Sequence, residues 1–119
     1  LSRISLAIAV VTAQTSNIPT LVFDEVDVGI GGGVAEVVGN LLRELGQSGQ
    51  VFCVTHLAQV AAKGNTHLLA SKSISKTAAT TQVLSLDTKA RTAELARMMG
   101  GIDITDSSIA HAAEMLQSA

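Results

Sequence analysis

Two short apolar runs, each followed by chemically active side chains, constrain the fold of this sequence most strongly. The first run, residues 20–24, ends in Asp24 and is followed by Glu25, which together form an acidic pair. The second run, residues 50–55, is followed by His56. Continuous apolar runs of this length are typical of parallel strands covered on both faces. Because the segment between them predicts a helix, roughly Val34 to Leu45, the sequence predicts a right-handed parallel β-α-β unit.

The remaining segments predict helices and one antiparallel hairpin. The apolar, Ser2-capped segment up to about Thr15 predicts a buried helix. The other predicted elements are a short helix over Leu57–Lys63, a hairpin with strands over Leu68–Ser75 and Gln82–Leu86 around a turn at 76–81, a helix from Asp87 or Thr88 to Met99, and a Thr105-capped helix over Asp106–Gln117. The fold class is therefore α/β, in one unit spanning residues 1–119.

Composition excludes several classes of protein. Hydrophobic residues make up 47% of the 119 residues and charged residues 15%, which is typical of a compact core and excludes disorder. The net charge is −2 without a basic cluster, so we do not expect this segment itself to bind nucleic acid. The longest apolar stretch, Ile4 to Ala13, is too short to span a membrane.

Two residues, Cys53 and Leu1, indicate the cellular compartment of the protein and that the chain is a fragment. The single cysteine, Cys53, cannot form an internal disulfide, and its apolar neighbours predict a buried, inert thiol in a cytoplasmic protein. The chain begins at Leu1 without Met and opens directly into helix-like sequence, which indicates an excised fragment.

The acidic pair Asp24-Glu25 is the first candidate site. Carboxylates after a buried strand lie at the carboxyl edge of a parallel sheet, where ligands bind in open α/β folds. In a Walker B arrangement the first acid holds Mg²⁺ and the second polarises the water that attacks the γ-phosphate of ATP. The alternative is that the two acids only end a strand and begin a solvated loop.

His56 is the second candidate, because it follows the neighbouring predicted strand. In a parallel sheet it emerges at the same edge as the acidic pair, where its imidazole can donate a hydrogen bond to a phosphate oxygen. The alternative is a histidine that only caps the helix beginning at Leu57. The pairing with Asp24-Glu25 on the adjacent strand favours the functional interpretation.

The glycine cluster Gly29 to Gly33 argues against two other nucleotide sites. A dinucleotide-binding fingerprint, GxGxxG, requires glycine where Val34 stands, and Thr55-His56 replaces the expected ribose-binding acid, which disfavours a nicotinamide-dependent oxidoreductase. No stretch of the sequence reads GxxxxGK[ST], so the phosphate-binding P-loop is absent from it. The glycines predict a closely approached loop before a helix N-terminus.

Three segments of the sequence carry a resemblance to a family. LVFDEVDVGIGGG (21–33), VTHL (54–57) and ELARMMGG (94–101) resemble the C-terminal end of the RecN family of bacterial DNA repair proteins. These proteins are relatives of the SMC ATPases within the ABC group. The resemblance covers essentially the whole chain and implies the C-terminal lobe of an ATPase head: a partial P-loop-type fold without Walker A loop, signature motif or coiled coil.

The resemblance also implies roles for individual residues. Asp24 is similar to the Walker B magnesium ligand, Glu25 to the catalytic base, and His56 to the switch histidine that senses the γ-phosphate. Val26–Gly31 is similar to the D-loop, which approaches the partner subunit and brings Asp27, Gly29 and Gly31 near the nucleotide. Most relatives keep an aspartate where this chain has Gly31, which puts that aspartate's cross-subunit role in doubt here.

The implied function is ATP hydrolysis with Mg²⁺ in DNA double-strand break repair and recombination. The implied partners are the N-terminal half of the same head, a second head joined through ATP, and DNA through the parent protein, in the bacterial cytoplasm near the nucleoid. The isolated chain is expected to be inactive. The alternative is a non-catalytic α/β interaction module. An upstream GxxxxGK[ST] motif in the parent reading frame would favour the ATPase over this module.

Overall fold

The computed structural model describes residues 7–8, 11–12, 15, 18–24, 28–100 and 103–119. These residues form four strands and four helices of defined bounds. In chain order they are β1 (Thr20–Asp24), α1 (Gly32–Leu45), β2 (Gln50–Val54), α2 (Ala58–Ala61), β3 (Leu68–Ile74), β4 (Ala79–Ser85), α3 (Thr88–Met98) and α4 (Asp106–Gln117).

Strands β1 and β2 form the predicted parallel pair, with α1 as the crossover between them. The register places Thr20 opposite Gln50 and Asp24 opposite Val54. Since side chains alternate along a strand, one face of the pair carries Leu21 and Phe23. This face packs on α1 in a core cluster whose buried members are Phe23, Ala35, Val38, Leu42, Leu45 and Val60. The prediction of a β-α-β unit is confirmed.

The prediction that both faces of these strands are covered is wrong for the residues that the structure describes. On the face away from α1, the exposed fractions are 69% for Val22, 42% for Phe52 and 61% for Val54. A pair of strands needs helices on both sides to be buried on both faces, and α1 covers only one side. We call Val22, Phe52 and Val54 the open sheet face.

The predicted N-terminal helix falls largely outside the described residues. Those that are described within it, at 7–8, 11–12 and 15, have helical backbone. Ile8 and Val11 are each more than half exposed, so the expectation of an all-round buried helix is wrong at these two positions. Like the open sheet face, they lack the second layer that an apolar surface requires.

A second core cluster joins α2 to the C-terminal helices. Its buried residues are Ala58, Ala62, Leu95, Ala96 and Ala112. Small alanine side chains allow the helix axes to approach closely. Helices α1 and α2 also pack tightly, because a Cβ on Gly39 would lie 2.8 Å from Lys63 Cγ and 3.2 Å from the Gln59 backbone oxygen. Glycine at position 39 therefore sets the spacing between α1 and α2.

Strands β3 and β4 form the predicted antiparallel hairpin, with a tighter turn than the sequence indicated. Residues 76–81 were expected to form a polar turn, but β4 begins at Ala79 and pairs Thr80 with Ser73 and Thr81 with Lys72. The β-branched threonines favour the extended backbone. The backbone N–H of Ser75 donates to Ala78 O at 2.8 Å, and this bond closes the shorter turn.

Side-chain caps explain where the last two helices begin. Asp87 accepts a hydrogen bond from the backbone N–H of Ala90, so α3 begins at Thr88. Thr105 and Ser108 form a reciprocal capping box at the start of α4. The predicted positions of both helices are confirmed. Within the described part of the chain, no helix combines the length and apolar character needed to cross a membrane.

Candidate functional site

Asp24 is the last residue of β1 and lies at the carboxyl edge of the parallel pair. By strand alternation it shares a face with Val22, and its side chain is exposed. The apolar residues Leu21 and Phe23 anchor the strand against α1. The local sequence thus fixes the backbone on one face and presents the carboxylate of Asp24 to solvent on the other.

Glu25 and Asp27 lie outside the described residues, so their predicted roles stay predictions. Glu25 is adjacent to Asp24 in sequence.

His56 follows β2 at the same edge of the sheet and is exposed. The backbone N–H of Leu57 donates to Thr55 Oγ1 at 3.0 Å, and this bond closes a turn around His56. Val54, which ends β2, is the register partner of Asp24. The histidine therefore leaves the sheet two residues beyond the position opposite the aspartate.

Chain geometry limits the separation of the two candidate side chains. Two residues span at most about 7.6 Å and paired strands lie ~4.8 Å apart, so the Cα atoms of Asp24 and His56 lie within roughly 12 Å. A metal-bound triphosphate is long enough to contact both side chains across such a gap. The parallel pairing of β1 and β2 thus brings these two predicted residues together at one edge.

The glycine loop leads from this edge into α1. Gly29 has a φ of +76°, a conformation that favours glycine, whereas Gly31 is extended with a φ of −169°. Gly31 is the N-cap residue of α1 and forms no side-chain cap bond there. Among the residues that the structure describes, a Cβ on Gly31 would meet no atom within 4 Å, so the space around this backbone does not itself require glycine.

A magnesium site needs more oxygen ligands than this edge supplies. Among the described residues, no three His, Cys, Asp or Glu side chains are grouped closely enough to hold a metal ion. Asp24 nevertheless fits one ligand position, because Mg²⁺ prefers oxygen donors and is held in proteins by one or two carboxylates together with substrate phosphates and water.

Sequence analysis missed two arginines that contact the segment following His56. Arg91 Nη2 donates to the backbone oxygens of Ala61 at 2.9 Å, Ala62 at 3.3 Å and Gly64. Arg43 Nη1 donates to the oxygen of Lys63 at 3.2 Å. Arg91 lies 27 to 30 residues from its acceptors in sequence, so no local pattern signals the contact.

Partly buried polar side chains surround Arg91. Burial and the neighbouring Arg43 lower the pKa of Arg91 from its ordinary value. Burial, together with the Arg91 charge, lowers the pKa of His67, an effect that Glu94 partly opposes. Glu94 itself is buried and accepts hydrogen bonds from Arg97 one turn later. His67 therefore lies at the boundary between α2 and β3, beside a partly buried guanidinium.

A comparison with solved structures identifies the class of fold. A structure of an SMC ATPase, from work on the ATP-driven dimerization and DNA-stimulated activation of these ATPases, matches with a TM-score of 0.66 at 17% identity. The match covers 86% of this chain and 61% of that one. The chain therefore shares the fold of part of this SMC ATPase, which confirms the predicted fold class.

Comparison with curated proteins identifies the family. The chain is 56% identical to the DNA repair protein RecN of Vibrio cholerae, 43% to RecN of Streptomyces coelicolor and 38% to RecN of Bacillus subtilis, each over all 119 residues. The chain belongs to the RecN family over the part that it spans. A scan of protein-family models found no match.

The match covers only part of each relative. The chain spans 22% of the Vibrio cholerae protein and 21% of the Bacillus subtilis protein, about a fifth of their length. The matched part is C-terminal in these relatives. The predicted resemblance to the C-terminal end of RecN is therefore confirmed.

Proposed function

We propose that this chain is the C-terminal lobe of an ATPase head in a RecN-type protein that hydrolyses ATP during DNA double-strand break repair and recombination. One observation carries the proposal. In a chain 56% identical to a RecN protein, the parallel pairing of β1 and β2 brings Asp24 and His56 to one sheet edge. This is the edge at which open α/β folds bind nucleotides.

Each side chain at the edge has one task in this proposal. Asp24 would hold a Mg²⁺ ion, directly or through water, and the ion would neutralise charge on the phosphate oxygens. Glu25 accepts a hydrogen bond from the attacking water and takes its proton as the water oxygen bonds to the γ-phosphorus, while the bond from the γ-phosphorus to the bridging oxygen breaks and ADP leaves. His56 donates a hydrogen bond to a γ-phosphate oxygen and stabilises the charge that develops there.

The remaining part of the head supplies what this chain lacks, and we propose that it covers the open sheet face. Val22, Phe52 and Val54 form an exposed apolar surface. Contiguous apolar patches of this kind mark interaction sites. The occupant is the N-terminal half of the same head, because the relatives are about five times as long as this chain and the sequence contains no P-loop.

A second head completes the site in the proposed assembly. In this proposal the D-loop is the segment Val26–Gly31, which follows Asp24 in sequence, and its residues Asp27, Gly29 and Gly31 approach the nucleotide bound between two heads. ATP binding joins the heads and hydrolysis separates them. DNA contacts the complete protein outside this segment, whose net charge is −2. The protein acts in the bacterial cytoplasm, in association with the nucleoid.

Association of the two halves of the head tests both the fold and the function. We expect the isolated chain to show no ATP hydrolysis, and co-expression with the remaining part of the protein to restore it. Val54→Asp places a charge on the open sheet face and should abolish co-purification, since burying an unpaired charge costs several kcal/mol. The measurement is co-purification of the two parts, followed by ATPase assay of the complex.

Val37→Asp is the matched control for this experiment. Val37 lies on α1 and is 57% exposed, compared with 61% for Val54, but is outside the open sheet face. The control should co-purify as the unsubstituted chain does. Loss of binding by both variants, or by neither, contradicts the assigned surface. Complex formation without any hydrolysis favours the non-catalytic interaction module.

A further inference from the structure

The chain on either side of His56 is held by different parts of the molecule. On the N-terminal side, β2 is paired with β1 and ends at Val54. On the C-terminal side, Leu57 leads directly into α2. The turn closed by Leu57 and Thr55 links the two sides, so the orientation of α2 is transmitted to the backbone of His56.

Helix α2 is too short to be stable by itself. It has four residues, Ala58–Ala61, and its N-cap residue Leu57 forms no side-chain cap bond. A single helical turn fixes several backbone dihedral angles for very few hydrogen bonds, which is unfavourable without tertiary contacts. The position of α2 therefore depends on the residues that pack against it and bind its ends.

Arg91 of α3 binds the C-terminal end of α2. Its Nη2 group donates to the backbone oxygens of Ala61 and Ala62 and to that of Gly64 in the following turn. Carbonyl oxygens at a helix end lack the usual i+4 backbone donor; Ala61 O also accepts a hydrogen bond from the backbone N–H of Gly64 at 3.2 Å. A cation at this end interacts favourably with the helix dipole. At about 1.5 Å per residue, this attachment lies roughly 6 Å along α2 from its start next to His56.

We propose that Arg91 is a positioning residue for His56, acting through α2. Arg91 fixes α2 against α3, α2 fixes Leu57, and the turn at Thr55 and Leu57 then holds the imidazole of His56 at the sheet edge. This inference rests on the proposed role of His56 in ATP hydrolysis. It makes the C-terminal helices part of the support for the γ-phosphate contact.

The test is a double-mutant cycle on ATP hydrolysis by the complete protein. Arg91→Gln should reduce kcat by about tenfold to a hundredfold, because displacements near 1 Å have effects of this size. KM for ATP should stay within about threefold, since the lost contact acts mainly in the transition state. In a His56→Ala background, Arg91→Gln should lower kcat no further.

Conservative and control variants separate positioning from folding. Arg91→Lys keeps a cation that can donate to some of these carbonyl oxygens, and it should recover part of kcat. In the His56→Ala background, Arg91→Lys should also lower kcat no further. Lys89→Gln is the control, because Lys89 is an exposed cation on the same helix. Its kcat should stay within about twofold of the unsubstituted protein.

Each other outcome overturns the positioning role. A fall in kcat of the same factor in both backgrounds, or no fall at all, shows that Arg91 does not act through His56. Failure of both Arg91 variants to fold assigns Arg91 to general stability. If His56→Ala alone leaves kcat unchanged, the proposed role of His56 fails first, and this result is distinct from a failure of Arg91 to couple to it.

Discussion

Glu25→Gln in the complete protein is expected to reduce kcat for ATP hydrolysis by about 10²- to 10⁴-fold, the usual contribution of a general base. Glutamine has nearly the same shape as glutamate but cannot accept the proton of the attacking water. Binding of ATP should persist, because Asp24 and His56 keep their contacts. The measurement is steady-state hydrolysis together with equilibrium binding of a fluorescent ATP analogue.

Glu44→Gln provides the control for this substitution. Glu44 is an exposed residue near the C-terminal end of α1, away from the strand end that carries Asp24. Its kcat should change by no more than about twofold, as for an ordinary surface substitution. Full turnover by the Glu25→Gln variant would show that Glu25 is not the general base. Loss of ATP binding would show that Glu25 contributes to binding of ATP in the ground state instead.

His56→Ala is expected to lower kcat by about 10²- to 10³-fold, as removal of one preorganised donor to a developing charge does in other enzymes. KM for ATP should change much less, because in the proposed site the hydrogen bond from the imidazole strengthens in the transition state. His56→Gln retains a donor and should recover part of the rate. Rapid-quench single-turnover kinetics measure the chemical step separately from product release.

His111→Ala is the matched control, since His111 is an exposed histidine on α4. This variant should hydrolyse ATP at the unsubstituted rate. If His56→Ala raises KM in proportion to any loss of kcat/KM and leaves kcat intact, the imidazole contributes only to binding. Equal loss in the His56→Ala and His111→Ala variants would indicate a general effect on folding.

The sequence alone predicted the part of the fold that positions the site. The runs at 20–24 and 50–55 are short, apolar and bounded by turn residues, so both strands and their parallel order could be predicted from local pattern. Parallel order then places Asp24 and His56 at one edge without further information. The caps at Asp87 and Thr105 likewise located the last two helices.

Features that depend on distant residues could not be predicted in the same way. Exposure of Val22 and Val54 depends on whether a second layer of the fold covers the sheet. The apolar sequence pattern of the strands is the same whether or not that layer is present. The contacts of Arg91 join residues 27 to 30 positions apart through the packing of α2 against α3. The close approach at Gly39 also depends on Lys63, in the turn that follows α2.

The most direct test of the central claim is a crystal structure of the complete head with Mg²⁺ and a non-hydrolysable ATP analogue. We expect a ring nitrogen of His56 within hydrogen-bond distance, about 2.7–3.2 Å, of a γ-phosphate oxygen. The carboxylate of Asp24 should bind the metal directly or through one water. A nucleotide bound elsewhere, with Asp24 and His56 both remote from its phosphates, would contradict the proposed site.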